Sequence, residues 1–250
     1  FLVEAPAPAL VAGRVGVCGA AGVASGRVLT WIMASPTTPA SQPARARPHR
    51  YVLGISGASG AHYALRLLEQ LLLAHGGTSE VHLVVTDYGR RLLFDEVGVT
   101  HVDFASLCPT ITSADAARRL IIHPNKDVGA FIASGSFLHD GMVVMPCSSS
   151  ALGYLATGSG NNLLARAAMV TLKERRRLIV CHRETPLSLI DIRNMEQLTL
   201  AGAIVCPTNP GFYLKPTRVE DLVDFIVGKV LDLLGVPHEL KNRWEDAGRA

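Results

Sequence analysis

The chain has 250 residues and a formal net charge of +3, a length that predicts one domain and at most two. Hydrophobic residues make up 48% and charged residues 18%. That composition supports a large core, and the sequence has no run of 18 apolar residues that would suggest a membrane span. The first 50 residues carry five arginines and one glutamate, a net of +4, which leaves −1 for the remainder. Because the remainder is not basic, the composition argues against nucleic-acid binding.

The cysteines are few and widely separated. They are Cys18, Cys108, Cys147, Cys181 and Cys206. Their odd number and the absence of a Cys-x-x-Cys pair argue against a disulfide framework and against a structural zinc site. We therefore expect no bound metal and a reducing compartment, in the simplest case the cytoplasm.

Residues 1–48 are rich in Ala, Pro, Gly and Ser and almost free of acids. The stretch 35–43 has three prolines among small polar residues, which is typical of a linker. We expect 1–48 to be a disordered extension or upstream translated sequence, with Met33 as the start. An arginine-bearing leader with few acids is also typical of a transit peptide, and in that case the compartment would be mitochondrial.

From residue 51, short apolar runs alternate with segments of helical spacing. The expected strands are 51–55, 81–86, 141–145, 178–181 and 203–206. The expected helices are 61–74, 151–157, 163–175, 190–201 and 219–234, and 94–122 fits a helix, a loop and a short strand. Continuously apolar strands that alternate with helices are typical of a parallel sheet covered on both faces. The sequence thus predicts an α/β doubly wound parallel sheet, in a single domain over residues 49–245.

The first expected strand ends in a glycine-rich turn, 54–60, that leads into a helix. Glycine lets the backbone approach a ligand closely, and a helix N-terminus offers N–H groups and partial positive charge to a phosphate. The turn lacks the Gly-x-Gly-x-x-Gly spacing, so NAD is not specially indicated. Ser59 either touches the reactive part of a ligand or caps the helix, and a plain tight turn is the alternative.

Two further turns, 134–136 and 146–150, are rich in hydroxyl groups. The second follows the 141–145 strand and would suit a flavin phosphate or ring edge, although Ser148 or Ser149 could instead cap the next helix. Cys147 is a weak candidate for a nucleophile, because no His or acid is near it in sequence and cysteine is often simply buried.

The next basic cluster lies on the helix expected at 163–175. Arg166 and Lys173 are seven residues apart and share one helix face. Arg166 stands in an apolar stretch, where an arginine tends to have an anionic partner. The run of arginines at 175–177 is expected to be solvated.

Arg183 and Glu184 follow the 178–181 strand at the carboxyl edge of the sheet, where open α/β sheets bind ligands. Arg183 would offer a planar fork to a phosphate, and Glu184 would relay protons. The alternative is a surface ion pair between the two. Tyr213, after the last strand, is expected at the same edge.

Many of these residues occur together in one known family. The shared motifs are 54–60, 134–137, 140–143, 146–148, 166–168, 171–177, 183–187, 210–213 and 230–235. In this order they resemble the UbiX-type flavin prenyltransferases over about residues 50–245. The resemblance implies a flavodoxin-like, Rossmann-type fold and a homododecamer. It also implies transfer of a dimethylallyl group from dimethylallyl monophosphate to N5 and C6 of reduced FMN, which yields the prenylated FMN used by UbiD-type decarboxylases.

The resemblance also implies roles for individual residues. Ser59 would lie near flavin N5, Glu184 would assist proton transfer, and Glu96 would match an active-site acid. The expected contacts to FMN are Gly57, Ala58, Ser59, Thr86, Cys147, Ser148, Ser149, Ser150 and Arg166. The prenyl phosphate would be held by Lys173, Arg183, Tyr213 and Lys229, and Trp244 would close the site from the C-terminal tail. Positive side chains can stabilise a departing phosphate without a metal.

Two other functions fit parts of the sequence. Flavin-dependent cysteine decarboxylases use a catalytic His and a Pro-x-Met-Asn-x-x-Met-Trp-like segment, and the nearest segment here, 207–210, lacks the methionines. A non-catalytic carrier of prenylated FMN would use the same binding residues as an enzyme, so the sequence leaves that function open.

Overall fold

The computed structural model describes residues 47–240, so the expectations for residues 1–46 and for Trp244 lie outside the described residues. The strands are β1 (Arg50–Ile55), β2 (Glu80–Val85), β3 (Leu120–Pro124), β4 (Gly141–Cys147), β5 (Leu178–His182) and β6 (Ile204–Val205). They form one sheet in the order β3-β2-β1-β4-β5-β6, and every neighbouring pair is parallel. This is the strand order of the Rossmann-type doubly wound fold, so the expected fold class is confirmed.

Helices connect these strands. They are α1 (Ala61–Gly77), α2 (Asp87–Val97), α3 (Phe104–Leu107), α4 (Ala114–Arg119), α5 (Ser149–Thr157), α6 (Leu163–Lys173), α7 (Leu189–Leu200) and α8 (Val219–Leu234). Helix α1 leaves helical geometry at Ala74, where the sequence predicted its end. Helix α6 ends at Lys173 rather than at residue 175, because Glu174 is its C-cap and Arg175 has a φ of 56°.

The two faces of the sheet carry separate cores. Leu53 of β1 belongs to one core with Leu68 of α1 and Val227 of α8, and Val52 belongs to the other with Leu164 of α6. Successive side chains of a strand point to opposite faces, so both faces of β1 are buried. This explains the continuously apolar strands in the sequence. Burying each of these side chains contributes roughly 1.5–3 kcal/mol.

The strand order reverses between β1 and β4, because α1 and α5 leave these strands toward opposite faces of the sheet. A crevice opens between the following loops at such a point, and ligands of open α/β sheets bind there. At the opposite, amino edge, Arg47 pairs with Asp140 at 2.8 Å and Arg50 pairs with Glu80 at 2.7 Å. Within residues 47–240, no helix is both long and apolar enough to cross a bilayer.

Candidate functional site

Two loops meet at the carboxyl edge of the sheet, and Ser56 fastens them together. The segments 57–60, after β1, and 147–150, after β4, are called the paired loops below. The buried Ser56 hydroxyl donates to the Pro146 carbonyl at 2.9 Å and accepts from the Ser148 N–H at 2.8 Å. The Ser56 N–H also donates to the Pro146 carbonyl at 3.2 Å. These bonds fix the spacing of the paired loops within one chain.

The first of the paired loops offers unbonded backbone N–H groups. A Cβ added at Gly57 would lie 2.4 Å from the Cβ of Tyr88, so only glycine fits there, and Gly60 has a φ of 132°. Within residues 47–240, the N–H groups of Gly57, Ala58 and Ser59 have no hydrogen-bond acceptor. Three such N–H groups in succession suit an anionic or carbonyl-bearing ligand.

Glu96 binds the end of this loop, where α1 begins. Its carboxylate accepts hydrogen bonds from the N–H groups of Gly60 at 3.0 Å and Ala61 at 2.8 Å, at the start of α1. Partial burial by itself raises the pKa of Glu96, but hydrogen bonds from the Ser59 hydroxyl and these two N–H groups outweigh it and lower the pKa below its usual range. Glu96 is therefore an ionised acceptor that positions Ser59 and already occupies the N-terminus of α1.

The second of the paired loops is anchored through its backbone. The Cys147 carbonyl accepts from the Arg183 N–H at 3.1 Å and from His182 Nδ1 at 2.9 Å. The Cys147 thiol is fully buried, and burial raises its pKa, so the nucleophile interpretation is wrong. Ser148 caps α5 by accepting from the Ala151 N–H at 3.2 Å. The backbone N–H groups of Ser149 and Ser150, at the start of α5, remain available to a ligand.

Thr86 borders the paired loops from β2. Its N–H donates to the Ile55 carbonyl at 3.0 Å, and its hydroxyl accepts from the Gly89 N–H at 3.0 Å, which caps α2. Gly89 lies so close to β1 that an added Cβ would be 2.6 Å from the Ile55 carbonyl oxygen. This contact places the N-terminus of α2, with Thr86, beside the loop 57–60.

Arg183 links β5 to the paired loops. Its Nε donates to the Ser59 carbonyl at 3.1 Å. Burial raises the pKa of the nearby Tyr63, and the positive charge of Arg183 opposes that rise. The exposed Glu184 carboxylate accepts from the Thr185 N–H at 3.1 Å, and no ion pair joins it to Arg183 in the described part of the chain. The structure thus brings Ser59, Glu96 and Arg183 into one bonded unit, with Glu184 next to it.

Tyr213 and Lys229 lie at the outer edge of the sheet, near β6. The Tyr213 ring meets Phe225 edge-on, with centroids 5.5 Å apart. Lys229 follows Phe225 by one helical turn on α8, and its charge acts on the thiol of Cys206 just beyond β6. Both predicted phosphate ligands therefore belong to the α8 side of the carboxyl edge.

Lys173 lies elsewhere. Helix α6 begins beside Asn125, just past the end of β3, and runs back to Lys173 at the amino edge. There Lys173 pairs with Glu174, and its Nζ would be 3.1 Å from a Cβ added at Gly135. Strand β5, roughly 16 Å long at 3.3 Å per residue, separates Lys173 from Arg183. One chain does not bring Lys173 to the other predicted phosphate ligands.

Of two sequence-based expectations about arginines, one stays a prediction and one is wrong. Arg166 is exposed on α6 and pairs with no acidic side chain within residues 47–240, so its expected anionic partner stays a prediction. Arg176, expected to be solvated, donates to the carbonyls of Gly135 and Phe137 at 2.5 and 2.6 Å and so fastens the loop before β4. No short-range pattern around Arg176 distinguishes this role from that of its solvated neighbours.

Sequence reasoning also missed Ser56 and His182. Ser56 is 2% exposed. Its position in the glycine-rich turn was the one sequence feature that could have indicated its role. His182 Nδ1 binds the Cys147 carbonyl, and its Nε2 is 4.0 Å from Asp191 Oδ1 on α7. The bonds of Ser56 to Pro146 and of His182 to Cys147 join residues 90 and 35 positions apart, so no local motif could have indicated them.

The paired loops lie apart from two cavities that flank α8. These cavities measure about 740 and 520 Å³, and neither is lined by Ser59, Arg183 or residues 147–150. What the paired loops offer to a ligand is therefore their backbone donors.

Comparisons with known proteins agree with this geometry. The sequence profile of the Flavoprotein family matches residues 39–231. The flavin prenyltransferase UbiX of Halalkalibacterium halodurans is 41% identical over 194 residues, which cover 78% of this chain and 92% of that protein. The mitochondrial flavin prenyltransferase PAD1 of Saccharomyces cerevisiae is 39% identical over 199 residues, covering 80% of this chain and 76% of that protein.

Solved structures share the fold. The crystal structure of AnUbiX (PadA1) in complex with FMN and dimethylallyl pyrophosphate has a TM-score of 0.68 and 36% identity, covering 79% of this chain and 100% of that chain. A dodecameric FMN-dependent Ubix-like decarboxylase from Escherichia coli O157:H7 has a TM-score of 0.67 and 35% identity, covering 78% and 98%. The chain therefore belongs to the flavoprotein family and, within it, to the UbiX-type flavin prenyltransferases.

Proposed function

We propose that the protein is a flavin prenyltransferase, which transfers a dimethylallyl group from dimethylallyl monophosphate to N5 and C6 of reduced FMN. The observation that carries this proposal is the bonded unit of Ser59, Glu96 and Arg183 beside open backbone donors. About 40% identity to flavin prenyltransferases over three quarters of the chain supports it.

The paired loops fit FMN. Gly57 and Ala58 offer N–H groups without bulky side chains, and Thr86 with the starts of α2 and α5 adds further donors. Because Glu96 occupies the start of α1, we place the FMN phosphate at the N–H groups of Ser149 and Ser150 and not at α1. Reduced FMN, when bound, supplies the electron-rich atoms that accept the prenyl carbon.

The basic residues near the carboxyl edge would hold the prenyl phosphate. Arg183 offers a planar fork for two phosphate oxygens, Lys229 adds a point charge, and Tyr213 adds a hydroxyl donor. Fixed positive charges of this kind stabilise the negative charge that develops on a leaving phosphate. Ser59, oriented by Glu96 and by the bond from Arg183 to its carbonyl, would present its hydroxyl to the flavin ring edge.

Glu184 would move the proton. Its carboxylate is exposed directly after Arg183, at the end of β5. A carboxylate at this place can accept the proton released when a new carbon–carbon bond forms on the ring, or return one to the leaving phosphate. Glu184 is thus the general acid–base residue of the proposed reaction, and Glu96 is the residue that positions Ser59.

Lys173 would reach the phosphate from another copy of the chain. In one chain it lies at the amino edge, roughly 16 Å from Arg183 along β5, so it serves this site only across a subunit interface. The E. coli relative is described as dodecameric. We propose a homododecamer in which Lys173 completes a neighbouring site, while Arg166, exposed near the carboxyl edge, contacts FMN.

Trp244 would close the site. The product, prenylated FMN, would pass to a UbiD-type decarboxylase.

Cysteine decarboxylation is less well supported. The decarboxylase TvaF is only 16% identical, with a TM-score of 0.51, which shows the fold alone. The segment 207–210 lacks the methionines expected for such enzymes. The residues that follow this segment include Tyr213 instead, an aromatic hydroxyl donor that suits a phosphate.

The proposed activity is tested by anaerobic incubation with reduced FMN and dimethylallyl monophosphate, followed by mass spectrometry of the released flavin. We expect a flavin heavier by one C5H8 unit, and parallel reactions with the pyrophosphate identify the preferred donor. Glu184→Gln should lose most turnover while it still binds FMN, and the matched variant Glu196→Gln, on the exposed surface of α7, should retain it. Tightly bound but unmodified FMN in the wild type would instead support a carrier, and decarboxylation of a peptidyl cysteine would support the other rival.

A further inference from the structure

Cys181 and Cys206 face each other across the last two strands of the sheet. The parallel register pairs Ile179 with Ile204 and Val180 with Val205. The ladder continues past β6, because the Cys206 N–H donates to the Val180 carbonyl at 2.9 Å. Cys206 therefore lies directly opposite Cys181, and both side chains point into the core on the α8 face.

Their spacing suits a covalent bond between the two sulfurs. Neighbouring strands are about 4.7–4.9 Å apart, and disulfides join residues whose Cα atoms are roughly 4.4–6.8 Å apart. Both residues are free thiols, and their side chains are hydrogen-bonded to each other. Little backbone movement would be needed to join them.

The two thiols differ in reactivity. Cys181 is fully buried, and burial raises its pKa well above the usual range. Cys206 is half-buried, and the hydrogen bond from Cys181, together with the charge of Lys229, lowers its pKa despite its partial burial. By contrast, burial raises the pKa of Cys108 to about 12. Since the thiolate is the nucleophile, Cys206 is the reactive member of the pair and Cys181 the resolving one.

We propose that Cys181 and Cys206 form a redox modification site, in which a low-molecular-weight disulfide converts the two thiols to an intramolecular disulfide beside Lys229. The Cys206 thiolate attacks one sulfur of the small disulfide, which breaks that S–S bond and releases one small thiol. The Cys181 thiol then loses its proton and attacks Cys206 Sγ, which releases the second small thiol. Two electrons pass from the cysteines to the small disulfide, and excess small thiol reverses both steps.

The cross-link is tested on the full-length protein treated with oxidised glutathione, blocked with N-ethylmaleimide and digested with trypsin without reduction. Cleavage after Arg177, Arg183, Arg193 and Arg218 places the two cysteines in separate peptides, 178–183 and 194–218. We expect these peptides joined, two hydrogens lighter than their sum, and separated by dithiothreitol. Cys108→Ser should retain the joined peptide, and Cys206→Ser should lose it. A glutathione adduct that persists on Cys206 without the joined peptide would overturn the proposal.

The reactivity of Cys206 can also be measured without replacing either cysteine of the pair. Under native conditions, iodoacetamide should alkylate Cys206 at least about tenfold faster than Cys108, because the thiolate reacts. Lys229→Gln removes the positive charge beside Cys206 and should slow this alkylation several-fold, whereas Lys126→Gln, on a distant exposed turn, should leave it unchanged. Equal rates for Cys206 and Cys108, or no effect of Lys229→Gln, would contradict the assignment of Cys206 as the reactive thiol.

Discussion

The paired loops and the basic residues around them differ in how one chain holds them in position. The paired loops are held by Ser56, Glu96 and Arg183 through hydrogen bonds of 2.8–3.2 Å within one chain. The basic residues are dispersed: Lys173 and Lys229 are exposed, Arg183 is half-buried, and Lys173 lies at the opposite edge of the sheet from Arg183. Under the proposed function, one chain would therefore prepare the flavin-binding half of the site, and the phosphate-binding half would need Lys173 from a second copy.

The largest effect is expected at the paired loops. Gly57→Val would place its Cβ 2.4 Å from the Tyr88 Cβ, so the loop must move and its N–H groups lose their alignment. Flavin binding, measured by quenching of FMN fluorescence, should fall below detection. The control is Gly129→Val, in an exposed turn with its nearest atom 3.6 Å away, which should bind FMN normally. Normal FMN affinity in Gly57→Val would remove these loops from the flavin site.

A smaller and more selective effect is expected at Lys173. Lys173→Ala should lower kcat/KM for the prenyl phosphate by about 10²–10³-fold, in line with loss of one donor to a developing negative charge. FMN affinity should not change, because the paired loops are complete without Lys173. Steady-state kinetics and FMN titration separate the two effects, and Lys126→Ala serves as the exposed-lysine control. Parallel losses of both quantities would contradict the division into two halves.

We expect Glu96 to contribute to the stability of the fold and to the position of Ser59 more than to proton transfer. Loss of such a cap costs about 1 kcal/mol, so Glu96→Gln should unfold at lower urea concentration than the wild type at pH 7. Because the folded pKa of Glu96 is lowered, its contribution is present above the unfolded pKa, near 4.3, and is lost as the pH falls through the folded value. The two proteins should therefore converge in acid. A constant difference at all pH values would show that the ionised carboxylate is not responsible.

The smallest effect is expected at the amino edge, in a cluster of histidines and aromatic rings. Burial lowers the pKa of His82 to about 3 and that of His139 to about 4, with nearby positive groups adding to the effect. Both are neutral in the fold and protonate on unfolding below about pH 6.5. Stability should thus decrease as the pH falls from about 6.5 toward 4, since the unfolded chain binds more protons. His82→Phe should flatten that slope by about one proton, with FMN binding intact, whereas exposed His101→Phe should not.

The sequence predicted most of the strands, because strands buried on both faces leave continuous apolar runs such as 141–145. It was less accurate over 94–122, where one helix was expected: α2 already begins at Asp87, and α3 and α4 precede β3. It also identified Ser59, Arg183 and Glu184 as neighbours at the carboxyl edge, since the ends of parallel strands meet there. It could not indicate the bonds of Ser56 or Arg176, which join segments roughly 40 to 90 residues apart. Nor could helical spacing show that α6 carries Arg166 and Lys173 to opposite ends of the sheet.

The most direct test of the two-half account is complementation between two impaired variants. Lys173→Ala and Arg183→Ala should each keep at most about 1% of the wild-type activity alone, because every site lacks one phosphate ligand. If the ligands come from different copies, hybrid oligomers made by co-expression should contain some sites with both, roughly a quarter of the total for random mixing. We expect prenyl transfer to return to about that fraction of the wild-type rate. Hybrid oligomers that form but remain inactive would contradict a site shared between copies.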